Sequence, residues 1–374
     1  MRQENLTLIG SKQNDSSGSW REEVVISPLG RWLLVSVLAA TTVVVFVGNT
    51  LVLIVLHKQR RTAGQRVINM FLANLTLIDL SVSFIVLPLS MTTYIHGSWP
   101  FGETFCEING FTTMIIGISG ILTMTAIAVD RYRVIVLPVG QRLRTKHAWA
   151  LLAFIWIWSI IQATPPLLGW NKYTWGQSSA LCRASFTRGD GYIESVSLVS
   201  YIIPLCIMVY CYVCVYLRVR QSRRRIEMWA RFNQDVWLKA EARTAKIVFT
   251  VLTFFIVSWT PFIVIYAING AGKSIVPLAA FRFTGWLASS HSAVNPLIYL
   301  KMNKRFRKDL KAVLGCHDSK GDTIKQPANG KAKVKERKLK IPHVLFTNAA
   351  VKNARTDGEI PTRINPLRKV VQTA

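Results

Sequence analysis

The stretch TAIAVDRYRVIVLP, residues 125–138, sets an acid and two arginines directly behind a long apolar run. From Phe111 to Val129 the chain carries no charge, and then Asp130-Arg131-Tyr132 arrives. A run of this length matches the ~20 residues a helix needs to cross a bilayer core. The charged triplet therefore falls at a membrane lip, where a lone guanidinium facing apolar helices is costly and Asp130 can neutralise it locally.

Working outward, further apolar stretches of spanning length lie near 32–57, 67–95, 148–169, 194–217, 244–269 and 276–300. The chain is 51% hydrophobic, with a mean hydropathy of +0.29. Segments this long with so few charges have no water-facing side, which disfavours a soluble helical bundle. The reading is an all-α membrane protein, a seven-transmembrane helix bundle with an amphipathic eighth helix. Residues 1–30 form an extracellular segment, 31–302 the bundle, 303–316 the eighth helix and 317–374 a largely disordered cytoplasmic tail.

Charge placement orients the bundle. Lys58, Arg60, Arg61 and Arg66 follow the first span; Arg133, Arg142, Arg144 and Lys146 follow the third; Arg218, Arg220, Arg223, Arg224, Arg225, Arg231 and Lys239 follow the fifth. The alternate loops are poor in bases: 96–105 has no Lys or Arg, and 170–193 has only Lys172, Arg183 and Arg188. By the positive-inside rule the basic loops and the tail are cytoplasmic and the N-terminus is extracellular, as expected at the plasma membrane. Two glycosylation sequons agree, at Asn5 and Asn14, whereas the match at Asn74 lies mid-membrane. No cleavable signal is evident ahead of the first apolar run. The net charge of +27 sits in loops and tail, including GKAKVKERKLK at 330–340. Attraction to anionic inner-leaflet lipids accounts for it, and nucleic acid is not implied.

Cys106 at the outer start of the third span and Cys182 in the second outer loop both face an oxidising compartment. A disulfide between them would staple that loop to the third helix. Cys206, Cys211 and Cys214 fall within the fifth span, and Cys316, after a basic amphipathic run, is a candidate for palmitoylation.

Intramembrane polar residues are few: Asn49, Asn74, Asp79, Ser119, Ser258, His291, Ser292 and Asn295. A single buried carboxylate and the lack of an inverted repeat disfavour a transporter or channel. The six histidines are scattered, so neither a metal site nor an enzyme is expected.

From residue 30 to 316 the chain resembles the class A, rhodopsin-like G-protein-coupled receptors. The likeness rests on Gly48-Asn49, Leu72-Ala73 through Asp79, Cys106, Asp130-Arg131-Tyr132, Trp156, Pro204 with Tyr212, Trp259-Thr260-Pro261 and Asn295-Pro296-Leu297-Ile298-Tyr299. Each motif is weak alone; in order, each in the right span, they are specific. The resemblance implies a heterotrimeric G protein as partner, with arrestin and a receptor kinase. It also implies a resting Arg131–Glu241 pair between third and sixth helices, with Tyr212 and Tyr299 accepting Arg131 in the active state.

Trp259 is expected at the pocket floor, and Pro261 kinks the sixth helix into a lever. Pro296 loosens the seventh helix near Tyr299. Asp79, Asn49 and Asn295 resemble the cluster that holds sodium in many relatives. Here Gly120 lacks an oxygen ligand and His291 stands where asparagine is frequent, which leaves either sodium or an Asp79–His291 hydrogen bond. Phe306, Leu310, Val313 and Leu314 recur at helical spacing among bases, fitting the eighth helix. Val134, Val136 and Val139 with Pro138 offer the G protein an apolar contact.

The wording LTMTAIAVDRY (122–132), PPLLGW (165–170) and NPLIY (295–299) leans toward the opsin-like branch. Covalent retinal needs a lysine amine in the seventh helix, yet Ser289 stands there, six residues before Asn295. No lysine lies between Lys273 and Lys301, and Asn109 and Gly176 replace the carboxylate counter-ion. Thr113 stands where amine receptors carry an aspartate. The expectation is no cofactor, and an extracellular ligand that is small and non-aminergic, held by Asn109, Thr113, Met114, Gly117, Ser200, Phe262, Tyr266, Trp286 and Ser289. This lining fits a neutral or lipid-like molecule. Glu194, Arg183 and Arg282 at the rim leave a charged or peptide ligand open. A non-covalent chromophore and a constitutively active, unliganded receptor also remain open.

Overall fold

The structure, a computed structural model, describes residues 10–14, 20–24, 28–58, 63–137, 142–175, 180–185, 191–226, 232–270 and 277–315. Asn5, Cys316 and the tail from 317 lie outside them. Asn14 ends β1 (Gly10–Asn14), which pairs antiparallel with β2 (Trp20–Val24).

Helices form the seven spans. The first is α1 (Pro28–Lys58). The second runs from α2 (Ala63–Ser81) through a π-turn at Val82–Val86 into α3 (Leu87–His96). The third is α4 (Gly102–Ile135) and the fourth α5 (Thr145–Ala163). The fifth joins α6 (Tyr192–Ser197), a π-turn at Leu198–Ile202 and α7 (Ile203–Ile226). The sixth is α8 (Phe232–Gly270) and the seventh α9 (Leu278–Met302). Among the described residues, six helical spans are long and apolar enough by composition to cross a membrane. The seventh is less apolar because Ser289, Ser290, His291, Ser292 and Asn295 fall together within it.

Proline placement explains the irregular turns. Pro88 and Pro204 each stand just after a π-turn. A proline inside a helix lacks the N–H and presses its ring on the carbonyl four residues back; widening that turn makes room. Pro261 and Pro296 instead stand inside continuous helices. The fourth span stops at Pro165-Pro166, which open a 3-10 turn ending at Gly169.

Outward faces carry exposed Phe46, Phe84, Phe154, Ile157, Val209, Val213, Phe249 and Val257, the belt expected against lipid tails. Inside, lipid gives no hydrophobic drive to helix pairing, so close packing and interhelical hydrogen bonds hold the bundle. Gly48 shows the packing: a Cβ there would sit 2.8 Å from the Pro296 ring, so only glycine lets α1 and α9 approach. Asn74 shows the bonding. Its Nδ2 donates to Thr123 Oγ1 at 2.8 Å, and its Oδ1 accepts from Trp156 Nε1 at 3.0 Å. One buried amide thus ties the second, third and fourth spans.

The loop between the fourth and fifth spans folds into a hairpin of β3 (Tyr173–Trp175) and β4 (Cys182–Ala184). Cys182 is disulfide-bonded to Cys106 near the start of α4. Gly110 gives way beneath the hairpin, since a Cβ there would lie 2.4 Å from the Tyr173 ring. Tyr173 and Tyr192 donate to the carbonyls of Ala163 (2.8 Å) and Gln162 (2.9 Å), anchoring the hairpin and the fifth span to the fourth helix.

Beyond the seventh span, α10 (Lys304–Val313) turns off at Asn303, whose Oδ1 accepts from Phe306 N at 3.1 Å. Arg307 donates to the carbonyls of Leu300 and Lys301 at 3.0 and 2.7 Å, satisfying the open end of α9. Phe306 is buried with Leu310 and Val313 packed alongside. Leu314 lies just past the helix and is exposed, because the last turn has already ended.

Candidate functional site

Beneath the hairpin the adjoining half of the bundle encloses a cavity of about 680 Å3. Thr113, Met114, Gly117, Ser200, Phe262, Trp286 and Ser289 line it, together with Trp259. Gly117 brings α4 close, so that a Cβ there would stand 3.9 Å from the Trp259 ring. Asn109 is not in the lining. Its Oδ1 accepts from Cys182 N at 3.2 Å, because it stands one turn below the disulfide and faces the hairpin backbone. The Tyr266 side chain lies outside the described residues. Ser289 Oγ donates to the Gly285 carbonyl at 3.0 Å, a bond within its own helix.

Trp259 lines the lower part of the cavity, which continues past it to His291 and Asp79. Its Nε1 is 3.2 Å from Nδ1 of His291, and both rings pack edge-on or tilted against Phe255. Below them Asp79, 1% exposed, accepts from Ser292 Oγ at 2.7 Å and Asn295 Nδ2 at 2.8 Å. Asn49 donates to the carbonyls of Val45 and Ser292, so first, second and seventh spans meet at one polar knot. Asp79 and His291 approach only to 4.0 Å, beyond a hydrogen bond. Serine and asparagine one helical turn apart on α9 already fill the carboxylate's near lone pairs, and His291 turns toward Ala288 and Trp259 instead. Gly120 leaves open room, with Ile78 at 3.7 Å from where its Cβ would be.

Under the knot an apolar layer follows. Tyr212 and Tyr299 flank a gap of about 10 Å3, closed by Leu75, Met124, Val251 and Leu252. That is about the space of one water. The Tyr212 hydroxyl is buried without a hydrogen-bond partner among the described residues. Arg131, 2% exposed, is ion-paired with Asp130 on the preceding residue. Both lie inside α4, which continues past them to Ile135. Tyr132 packs against Tyr210 at 5.9 Å between ring centroids. The side chain of Glu241 lies outside the described residues, as do Pro138 and Val139. Val134 is buried against Val215 and Ala245, so it belongs to the bundle's packing rather than to an open contact surface.

Seven spans, a cavity lidded by the hairpin at one end and a buried arginine toward the other make up a seven-helix membrane bundle. Residues 48–299 match the 7 transmembrane receptor (rhodopsin family), and the chain belongs to it. It is 30% identical over 311 residues to the visual pigment-like receptor peropsin of Mus musculus, covering 81% of this chain and 90% of that one. It is 28% identical over 310 residues to pinopsin of Columba livia, covering 81% and 87%. In solved structures, squid rhodopsin shares the fold with a TM-score of 0.71 at 24% identity, over 79% of this chain and 89% of that one. The protein is therefore an opsin-like G-protein-coupled receptor, a multi-pass membrane protein of a receptor class rather than an enzyme class.

Some of the site escaped sequence reasoning. Leu33, Leu34, Val37 and Leu38 of the first span and Tyr94 of the second wall the cavity, yet nothing in their pattern sets them apart from lipid-facing neighbours. Tyr201 is another: its hydroxyl meets Thr260 Oγ1 at 2.9 Å, joining the π-turn of the fifth span to the residue before Pro261. A lone tyrosine in an apolar helix is unremarkable. The usable signal was Pro204 just beyond it, which forces the widened turn that aims Tyr201 at α8.

Proposed function

We propose that the receptor sits in the plasma membrane with its N-terminus outside. Occupancy of the outer cavity by a small, non-aminergic molecule shifts the bundle to a state that activates a G protein. The observation that carries this reading is continuity: Trp259 is at once cavity wall and neighbour of His291, whose ring borders the Asp79 knot. A ligand acts only through its different affinity for two bundle states, and a coupling of about 1–3 kcal/mol suffices.

Pro261, two residues beyond Trp259, makes the inner part of α8 the lever that swings outward. Arg131 then exchanges its resting partners, Asp130 and Glu241, for Tyr212, whose buried hydroxyl has no partner among the described residues. Tyr299, loosened by Pro296, closes on the same gap. Arrestin and a receptor kinase would engage the cytoplasmic side once it opens. Sodium is not needed at Asp79, because Ser292 and Asn295 already meet both carboxylate oxygens. Covalent retinal is not part of this reading: Ser289 offers no amine, and its hydroxyl is bonded within α9.

The test is guanine-nucleotide exchange on G proteins by the purified receptor. Arg131→Ala should abolish exchange while leaving ligand occupancy of the outer cavity intact. Exchange unaltered by that substitution would sink the mechanism, and solute flux through reconstituted vesicles would favour a transporter instead.

A further inference from the structure

We infer that the cavity takes a lipid-like amphiphile with one anionic head group, carboxylate or phosphate, held between Arg183 and Arg282 at the outer mouth. The inference rests on the receptor reading above and names the ligand class.

Two guanidiniums from separate elements converge on this mouth. Arg183 comes from β4 and stands 4.2 Å from the centroid of Phe281, the residue before Arg282. Arg282, on the second turn of α9, stands 5.9 Å from the ring centroid of Tyr94. Both arginines and Tyr94 line the cavity, and both arginines act electrostatically on the Tyr94 hydroxyl. The disulfide fixes Arg183 through its neighbour Cys182, so this half of the cradle is preorganised. An anion reached by both guanidiniums gains charge-assisted hydrogen bonds from each, and a guanidinium can pair bidentately with a carboxylate or phosphate.

Below the mouth the lining turns apolar. Its acid, Asp79, lies at the far end and is already occupied by Ser292 and Asn295. A hydrocarbon chain descending toward Trp259 buries its surface there, while an ammonium would meet two like charges on entry. Three buried polar atoms in this wall have no partner among the described residues: Thr113 Oγ1, Ser200 Oγ and Trp286 Nε1. A hydrocarbon tail gives these atoms no hydrogen bond, so they remain polar points in an otherwise apolar wall. Leu33, Val37 and Phe283, apolar residues of the first and seventh spans, line the cavity and are exposed.

The experiment titrates the full-length receptor in lipid nanodiscs with radiolabelled oleate, oleoyl lysophosphatidate and oleyl alcohol, with empty nanodiscs as blank. One or both anions should saturate the receptor, and which one does so assigns the head group. The alcohol should bind at least about ten-fold more weakly. Arg183→Gln and Arg282→Gln should each cost the anion about ten-fold or more, and Arg282→Lys, which keeps the charge but not the fork, should recover only part of that loss. Circular dichroism and intact disulfide content confirm folding of each variant. Equal binding of alcohol and anions, binding indifferent to both arginines, or saturation by none of the three overturns the inference. Nucleotide exchange is read separately: binding without exchange counts against the receptor mechanism, and exchange without anion binding counts against the ligand.

Discussion

The indole nitrogen of Trp259 lies 3.2 Å from Nδ1 of His291. That same Nδ1 is 2.6 Å from the Ala288 carbonyl. One ring nitrogen cannot donate to a carbonyl and accept from an indole at once. The link between Trp259 and the polar knot is therefore contested, with two settings. His291→Phe keeps the ring's bulk against Phe255 and removes the contest. We expect basal nucleotide exchange to rise several-fold and stability to fall by about 1 kcal/mol, read by exchange assays and thermal melting. Unchanged basal exchange would detach His291 from the switch.

Tyr212 supplies a sharper test, because its hydroxyl is buried without a partner among the described residues in this state. Removing an unsatisfied polar atom costs the resting state nothing and relieves about 1 kcal/mol of desolvation. Tyr212→Phe should therefore raise the melting temperature slightly while lowering maximal agonist-stimulated exchange. A residue that only packs would lower both or neither.

Asn74→Ala should behave in the opposite way. It deletes two interhelical hydrogen bonds and strands the half-buried Trp156 Nε1. Single bonds of this kind in membrane bundles are worth about 0.6 kcal/mol on average, so a loss of about 1–2 kcal/mol is expected. Exchange per folded receptor should be unchanged. A melting temperature equal to that of the native chain would mean that the second, third and fourth spans are held by packing alone.

How far these features could be read without the structure follows from what each depends on. The spans and Asp130-Arg131 were legible because an ionisable residue behind an apolar run is expensive whatever surrounds it. The pairing of Asn74 with Trp156 was not, although both residues stood out, because α5 is apolar nearly all round and its periodicity does not show which face meets the second span. Asn109 was assigned to the pocket from its position on the third helix. Its actual partner is a backbone N–H of a hairpin whose fold depends on Gly110 and on Tyr173 reaching the fourth helix. Helix boundaries slipped for a related reason: α8 begins at Phe232, well before the apolar run, since helix continues into water wherever nothing stops it.

The hairpin itself should be separable from the bundle. The disulfide closes a separation of 76 residues, worth about 4–5 kcal/mol if the open chain were fully flexible. Two membrane helices lie inside that loop and persist on unfolding, so the smaller figure of about 2 kcal/mol is expected for Cys182→Ser with Cys106→Ser. Ligand binding should weaken more than the bundle does, because Arg183 loses its fixed position. Denaturation in detergent and ligand titration of the same double variant check both halves.

Two glycines give the last contrast. At Gly48 an added methyl would press on the Pro296 ring at 2.8 Å, and a pyrrolidine locked in a helix has no rotamer to move to. Gly48→Ala should force α1 away from α9, break the Asn49 bond to the Ser292 carbonyl at 3.1 Å, and cost about 1–3 kcal/mol. At Gly120 the same methyl meets Ile78 at 3.7 Å, an ordinary contact. Gly120→Ala should be neutral or stabilise by up to about 1 kcal/mol through helix propensity. Each glycine neighbours a member of the same polar knot in sequence or space, so a general intolerance of the knot to substitution would destabilise both variants alike. Only the close approach of α1 to Pro296 separates them, and paired thermal melts of the two variants measure that separation directly.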